Sequence, residues 1–291
     1  MSKVDQYFKL AVDKILTEGY DDKDLKVRPV WPSDGTPAHT KQIHAFIARY
    51  NLQEELPVMT LRKVNLASCL KEIFWMYQKK SSVVSELGAK FWDAWQLEGD
   101  EKIDDQGKHY GAGTVGKTYG YQVGRKHNFK EGFMDQFDLL LWKLKNNPAD
   151  RRMIIDLWNN DDLIDMALPP CVYQAIFNVQ GNKLNMTLIQ RSCDLLSATF
   201  TQDITMYAIL QCMIAQVSGL IPGELVHLMD NCHLYYEKHE EYVKEVCNNP
   251  EYPAPKLWLN PEITNFYDFT FDDIKLIDYQ ATPSKKFEVA V

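Results

Sequence analysis

VYQAIFNVQ (residues 172–180), GN (181–182) and KLNMTLIQ (183–190) form the continuous stretch that decides the fold. Residues 172–180 are rich in β-branched and aromatic residues, and apolar residues alternate with polar ones from Lys183 to Leu188; both features are typical of strands. Gly181-Asn182 between them favours a two-residue hairpin turn, so the two strands are predicted to pair. Because the strands then run antiparallel, Cys171 before the hairpin and Arg191 after it are expected to be neighbours.

The segments on either side of the hairpin show helical and strand patterns in mixed order. Helical spacing predicts helices over residues 4–19, 65–78, 133–147 and 204–219, and a strand pattern covers residues 153–158. Short strands punctuated by proline are predicted after Gly219 and as far as Val291. Because strands and helices do not alternate regularly, we expect an α+β fold, a mixed sheet packed by helices.

No flexible linker divides the chain, so residues 1–291 are expected to form one domain or two intimate ones. The segment 80–116 is rich in Gly, Asp and Trp and is predicted to be a long loop. Long loops within compact domains tend to be functional.

The composition excludes several classes of protein. The net charge of −8 argues against general binding of nucleic acid, and no apolar run is long enough to span a bilayer. The first residues lack the apolar stretch of a signal peptide. Six scattered cysteines without a CxxC pair indicate reduced thiols rather than disulfides or a metal site. We therefore expect a cytoplasmic protein, bacterial or in a virus-infected host cell, without a metal.

Cys171 is the candidate nucleophile. Two prolines precede it and fix the approach of the backbone, although a cysteine in such a place is more often a small buried apolar residue. Arg191, expected nearby, would lower the pKa of its thiol and with Ser192 would bind a phosphate. Arg28, Arg151 and Arg152 are further candidates for the phosphate, with surface salt bridges as the alternative.

Eight motifs occur in an order that resembles one enzyme superfamily. They are Lys71-Glu-Ile-Phe-Trp75, Phe91-Trp-Asp-Ala-Trp95, Tyr119-Gly-Tyr-Gln122, Asp150-Arg-Arg-Met-Ile-Ile155, Ala167-Leu-Pro-Pro-Cys171, Gln190-Arg-Ser-Cys-Asp194, His233-Leu-Tyr235 and Phe287-Glu-Val-Ala-Val291. Together they resemble thymidylate synthase and its relatives, the pyrimidine hydroxymethylases. The resemblance implies a homodimer whose sheets pack back to back and whose two active sites each use residues from both subunits.

The resemblance also implies a reaction and a nucleotide site. Cys171 would attack C6 of the pyrimidine and make C5 a carbon nucleophile, Glu72 would organise a proton-relaying water, and Tyr119 would assist proton removal from C5. The residues implied for the nucleotide are Arg28, Gln190, Arg191 and Ser192, with His233 and Tyr235 on the deoxyribose and Arg151 and Arg152 from the partner subunit.

A second group of residues would hold the co-substrate, 5,10-methylenetetrahydrofolate. The resemblance places Trp92, Trp95, Asp194 and the terminal carboxylate of Val291 around it, and Arg62 at its glutamate tail. The reacting carbons would be held at near-attack distance with water excluded.

The chain departs from the superfamily where the pyrimidine is recognised. Counting back from Tyr207 puts Asp203 in the place of an asparagine that reads uracil, whereas counting forward from Asp194 puts Gln202 there, because the segment is one residue longer. A protonated Asp203 would donate to N3 of cytosine and accept from its amine. The alternative is that Asp203 only caps the following helix.

Asp203 and an altered loop at residues 197–201 lead us to expect hydroxymethylation of dCMP. Thymidylate synthesis from dUMP is the alternative, and methylation of dCMP at C5 is the third reading. An inactive homologue that only binds nucleotide or RNA is the non-enzymatic alternative, which the presence of Cys171, Glu72 and the arginines disfavours.

Overall fold

The predicted hairpin lies within a six-stranded mixed sheet in the computed structural model, which describes residues 2–291. The strands of the chain are β1 (Tyr20–Asp21), β2 (Lys41–Asn51), β3 (Lys126–Phe129), β4 (Gly132–Asp135), β5 (Met153–Asp156), β6 (Val172–Gln180), β7 (Lys183–Asp194), β8 (Ile221–Leu234), β9 (Lys256–Leu259) and β10 (Ile274–Ile277). The sheet order is β1-β2-β8-β7-β6-β5, and only the pair β7–β8 is parallel. β3–β4 and β9–β10 form two small separate ribbons.

Helices pack against the sheet. The α-helices are α1 (Lys3–Glu18), α2 (Leu66–Ile73), α3 (Gly120–Gly124), α4 (Gln136–Asn146), α5 (Ile204–Val217) and α6 (Tyr236–Cys247). All residues of α5 but Gln216 are buried, because this helix is apolar on every side and lies inside the core. α1 packs on β2, and its N-cap Ser2 accepts a hydrogen bond from the backbone of Asp5. The α+β prediction is confirmed.

Two helical segments are π-helices, in which the backbone hydrogen bonds skip one more residue than in an α-helix. The predicted helix 65–78 is α-helical only to Ile73 and continues as a π-helix over Phe74–Gln78. A second π-helix, Leu195–Asp203, leads directly into α5. Because a π-turn takes up an extra residue without ending the helix, this segment accommodates the additional residue between Asp194 and Tyr207.

Several elements differ from the prediction. The helix predicted to start at residue 133 begins at Gln136, because residues 132–135 form β4 and Asp135 then caps the helix by accepting from the backbone N–H groups of Phe137 and Asp138. The short strands predicted after residue 219 are wrong in two places: β8 has 14 residues and α6 is a helix of 12. Pro222 stands at the start of β8, where a proline does not interrupt the strand. The predicted loop at 80–116 holds only two 3-10 turns, Val84–Glu86 and Asp93–Trp95.

Within residues 2–291, no helix is long and apolar enough to cross a membrane. The same residues contain no cluster of three or more His, Cys, Asp or Glu side chains arranged to hold a metal ion.

Candidate active site

Cys171 lies at the end of the sheet where β6 begins and β7 ends. Its backbone N–H donates to the hydroxyl of Tyr119 at 3.1 Å, and its carbonyl accepts from the N–H of Arg191 at 2.9 Å. A register shift between Val172 and Gln174 interrupts the ladder just after it. Because bulges redirect side chains at the ends of strands, this irregularity suits a residue that must face a ligand.

Burial and nearby arginines have opposite effects on the pKa of the Cys171 thiol. Burial raises the pKa of Cys171 above its usual value, and the positive charges of Arg191 and Arg28 oppose the rise. Arg191 is held in place by donating to the carbonyls of Pro169 and Pro170 at 2.7 and 3.1 Å. The predicted proximity of Cys171 and Arg191 is thus present in the structure.

Trp158 supports this arginine from the side. The Arg191 guanidinium lies 5.5 Å from the centre of the Trp158 ring, a cation–π contact that the sequence analysis missed. The tryptophan follows β5 and has no distinguishing pattern around it. The two residues are brought together because β5 and β7 lie on either side of β6 in the sheet.

Glu72 is a buried carboxyl group on α2. One oxygen accepts from the indole of Trp92 at 2.6 Å and the other accepts from the amide of Gln202. Burial raises the pKa of Glu72 to about 7, and the negative charge of Asp203 adds to the rise while both hydrogen bonds oppose it. A carboxyl group with a pKa near neutrality is suited to relay protons at physiological pH.

Asp203 is the second carboxyl group with a raised pKa. Its Oδ2 accepts from the amide nitrogen of Gln190 at 2.9 Å, and burial raises its pKa to about 6. The side chain makes no capping hydrogen bond to the helix it precedes, which argues against a role limited to capping α5. The amide of Gln202, the other candidate for pyrimidine recognition, donates instead to the carboxyl group of Glu72.

An aromatic wall adjoins these carboxyl groups. The Trp92 ring lies 5.3 Å from that of Tyr119 and 5.6 Å from that of Trp95, both with edge-to-face geometry. Tyr119 has φ 45° and ψ −109°, a strained conformation for a residue other than glycine. Strain of this kind persists where the surrounding structure fixes a functional side chain, and here the Tyr119 hydroxyl meets the backbone of Cys171.

The residues predicted for the deoxyribose lie at the end of β8. His233 is buried and its Nδ1 is 2.8 Å from the side-chain oxygen of Asn231, and burial lowers the pKa of the ring. Tyr235 packs edge-on to His233 at 5.3 Å between ring centres. Ser192 pairs with Asn231 across β7 and β8, which brings this wall next to the residues after the hairpin.

The residues predicted for the folate occupy three settings. Asp194 caps the π-helix Leu195–Asp203, with its Oδ2 accepting from Ser197 Oγ at 2.6 Å. Arg62 is 5% exposed and donates to the carbonyls of Leu196 and Ser197, so its guanidinium ties down the same segment. Val291 pairs through its backbone with Val30, next to Arg28.

Arg151 and Arg152 do not join the site of their own chain. Both are exposed, and Arg152 pairs with Asp150 at 3.0 Å. Met153 lies opposite Phe177 in the register of β5 and β6, so Arg152 stands about seven residues along the sheet from Cys171. That corresponds to roughly 20 Å at the rise of a β-strand.

Two further residues near the site were missed in the sequence analysis. His227 on β8 lies 2.8 Å from the amide oxygen of Gln190, and Thr199 of the π-helix accepts from the same amide at 3.2 Å. The extra residue between Asp194 and Tyr207 indicates an irregular backbone in the segment that contains Thr199. A single histidine in an alternating strand gives no signal, because the same pattern is typical of a core residue.

Comparison with known proteins identifies the family. A model described as thymidylate synthase matches residues 5–291. The chain is 42% identical to thymidylate synthase of Bacillus licheniformis and 40% identical to that of Bacillus phage phi3T, in each case over 100% of both chains. The solved structure of thermostable thymidylate synthase A from Bacillus subtilis is 38% identical, covers 100% of both chains and superposes with a TM-score of 0.89.

These relatives correct the predicted substrate and product. The prediction of dCMP hydroxymethylation is wrong, because full-length relatives at 38–42% identity carry the name thymidylate synthase. The physical reason lies in the chemistry of a protonated carboxyl oxygen, which can donate one hydrogen bond and accept another. Such an oxygen of Asp203 would complement O4 and N3–H of uracil as well as N3 and the amine of cytosine.

The resemblance seen in the eight motifs is therefore confirmed. Enzymes of this family use 5,10-methylenetetrahydrofolate as co-substrate and are typically homodimers. Over nearly its whole length, in sequence and in fold, the chain belongs to the thymidylate synthase family of folate-dependent methyltransferases.

Proposed function

We propose that this protein methylates dUMP at C5 to give dTMP, with 5,10-methylenetetrahydrofolate as the source of the carbon. The observation that carries the proposal is the position of Cys171, with Arg191 bound to its carbonyl on one side and Tyr119 bound to its N–H on the other. The names of the full-length relatives support dUMP as the substrate.

The thiolate of Cys171 forms a bond to C6 of the uracil ring, and the electrons of the C5–C6 double bond move to C5 and O4. C5 then bonds to the methylene carbon as one bond from that carbon to a folate nitrogen breaks, and C5 loses its proton with the assistance of Tyr119. The second bond to folate nitrogen breaks to leave an exocyclic methylene group, and hydride transfer to that carbon forms the methyl group and expels the thiolate from C6. The folate supplies the carbon and the hydride and leaves as dihydrofolate. Glu72, whose pKa is about 7, exchanges protons with the ring through water.

The phosphate and the sugar would be held apart from the reacting ring. Arg191, Ser192 and Arg28 would bind the phosphate of the nucleotide, and His233 and Tyr235 would bind the deoxyribose hydroxyl. Arginine suits this task because its planar fork binds phosphate through two hydrogen bonds. Trp92, Trp95, Asp194 and Val291 would contact the folate, and the role of Arg62 at its glutamate tail stays a prediction.

We also propose that the protein is a homodimer in which Arg151 and Arg152 complete the site of the partner subunit. Their separation from Cys171 within one chain supports this assignment, since they reach no nucleotide bound to their own subunit.

The test is the product formed from dUMP and methylenetetrahydrofolate. We expect dTMP and dihydrofolate in equal amounts, with dCMP turned over far more slowly, and we expect Cys171→Ala to form neither product. A hydroxymethylated nucleotide, or nucleotide product without dihydrofolate, would contradict the proposal.

A further inference from the structure

A buried amide connects a histidine to the carboxyl group at the pyrimidine site. Gln190 is 2% exposed and His227 is 1% exposed, and His227 Nε2 lies 2.8 Å from Gln190 Oε1. The other end of the amide, Nε2, lies 2.9 Å from Asp203 Oδ2 and 3.0 Å from the carbonyl oxygen of Ser192. The mechanism described above uses neither His227 nor the amide of Gln190.

The direction of these hydrogen bonds follows from Ser192. A backbone carbonyl only accepts, so the Gln190 atom that faces it must be the NH₂ group. The amide oxygen therefore faces His227, and because an amide oxygen also only accepts, His227 must carry a hydrogen on Nε2. Burial lowers the pKa of His227 to about 3, so the ring is neutral and has one N–H to give.

The chain of donors ends at one oxygen of Asp203. Oδ2 accepts a hydrogen bond from the Gln190 amide, whereas Oδ1 makes no hydrogen bond to any other residue that the structure describes. If the amide of Gln190 turned over, its oxygen would face both the Ser192 carbonyl and Asp203, and acceptor would meet acceptor. The N–H of His227 opposes that turn.

We propose that His227 is a positioning residue for pyrimidine recognition: acting through Gln190, it holds Oδ2 of Asp203 inward and leaves Oδ1 for the base. The inference rests on the proposed function in taking Asp203 as the group that reads the ring. A single fixed oxygen meets O4 and N3 of the uracil edge in one orientation. Without His227 the amide oxygen of Gln190 would be buried without a donor, its hold on Oδ2 of Asp203 would weaken, and the affinity for dUMP would fall.

The test is the affinity of the dimeric enzyme for dUMP in the absence of folate, measured by titration calorimetry. His227→Phe keeps the ring shape and removes the donor, and we expect it to weaken dUMP binding about tenfold, the effect of losing one buried hydrogen bond. His227→Gln restores an N–H at the same reach and should bind dUMP within about threefold of the wild type. A rescue of this kind separates hydrogen bonding from packing.

A buried amide elsewhere provides the matched control. Gln211 on α5 is 0% exposed and donates to the carbonyls of Leu184 and Glu224, away from Asp203. Gln211→Leu should lower the melting temperature and leave dUMP affinity unchanged. The effect of His227→Phe should fall below about twofold in an Asp203→Ala background, because coupled residues are not additive.

Three results would overturn the proposal: unchanged affinity in folded His227→Phe, an equal loss in the Asp203→Ala background, or no rescue by His227→Gln. If His227→Phe does not fold, Gln190→Met removes the same link, and wild-type affinity in that variant overturns the proposal too. Formation of dTMP by the wild-type enzyme is a separate measurement, which tests the proposed function. Failure to form dTMP contradicts the proposed function, whereas loss of coupling contradicts only the role of His227.

Discussion

The indole nitrogen of Trp92 donates to Oε1 of Glu72 at 2.6 Å, so a residue of the proposed folate wall contacts the proposed proton relay. This hydrogen bond favours the ionised form of Glu72 and lowers its pKa. The same side chain thus packs the aromatic wall and tunes the carboxyl group. Trp75, Trp95 and Tyr119 surround its ring and fix its orientation.

Replacing Trp92 with phenylalanine should move the pH dependence of turnover. The variant loses the hydrogen bond to ionised Glu72, so the pKa of Glu72 rises from about 7. A hydrogen bond worth about 1 kcal/mol corresponds to roughly 0.7 pH unit, and the midpoint of kcat against pH should rise by about that amount. Trp95→Phe is the control, because Trp95 packs on Trp92 without bonding to Glu72. Equal shifts in the two variants would show that the hydrogen bond is irrelevant.

Glu72→Gln should stabilise the folded protein above neutral pH. Burial raises the pKa of Glu72 from 4.5 to about 7, so the folded state binds more protons than the unfolded state in this range. The free energy of unfolding therefore falls as the pH rises from 4.5 to 7, by about 3 kcal/mol at most for this residue. Urea unfolding at one protein concentration should show the variant gaining about 1–3 kcal/mol at pH 8 relative to pH 5. An equal difference from wild type at both values would contradict the burial cost.

Asp203→Asn should remove one component of the pH dependence of dUMP binding. The pKa of Asp203 is raised to about 6, and only the neutral carboxyl donates to O4 of uracil, so affinity should fall as the pH rises from 6 to 8. Glu72, Asp194, Tyr119, Cys171 and Tyr207 lie close enough to interact electrostatically with this group. The phosphate of the nucleotide titrates near pH 6 as well, and the comparison between the two proteins cancels its effect. Identical slopes for wild type and Asp203→Asn would exclude a titrating Asp203.

Mixing two inactive variants should restore activity if the sites are shared. Cys171→Ala lacks the nucleophile, and a double variant Arg151→Ala, Arg152→Ala lacks the arginines proposed to act in the partner. In a mixed dimer one site receives an intact Cys171 from one subunit and intact arginines from the other. After unfolding and refolding together, equal amounts should regain about a quarter of the wild-type activity. Absence of any recovery would place the arginines outside the partner's site.

The local part of the site was predictable from sequence. The period-two pattern and the Gly181-Asn182 turn predict a hairpin, and a hairpin brings Cys171 and Arg191 together whatever the rest of the chain does. The helix of residues 204–217 was likewise visible, because it is apolar on every side. These features depend on residues close in sequence.

The remaining part depends on contacts between distant segments. His227 reaches Gln190 only because β7 and β8 pair in parallel with Leu188 opposite His227, and such pairing leaves no mark on either strand alone. The π-helix before α5 explains why counting from Asp194 and from Tyr207 gave different residues. The prediction of cytosine instead of uracil was wrong for a chemical reason, since a protonated carboxyl group does not discriminate by itself between the two bases.

The most direct test of Cys171 as the nucleophile towards uracil uses 5-fluoro-dUMP with methylenetetrahydrofolate. Fluorine stands where a proton must leave C5 and cannot depart as a cation, so the reaction should stop with the thiol bonded to C6 and the folate carbon bonded to C5. Intact mass spectrometry followed by peptide mapping locates the adduct among the six cysteines. We predict an adduct of nucleotide and folate on Cys171, absent from Cys171→Ala. No adduct, or an adduct on another cysteine, would contradict this mechanism.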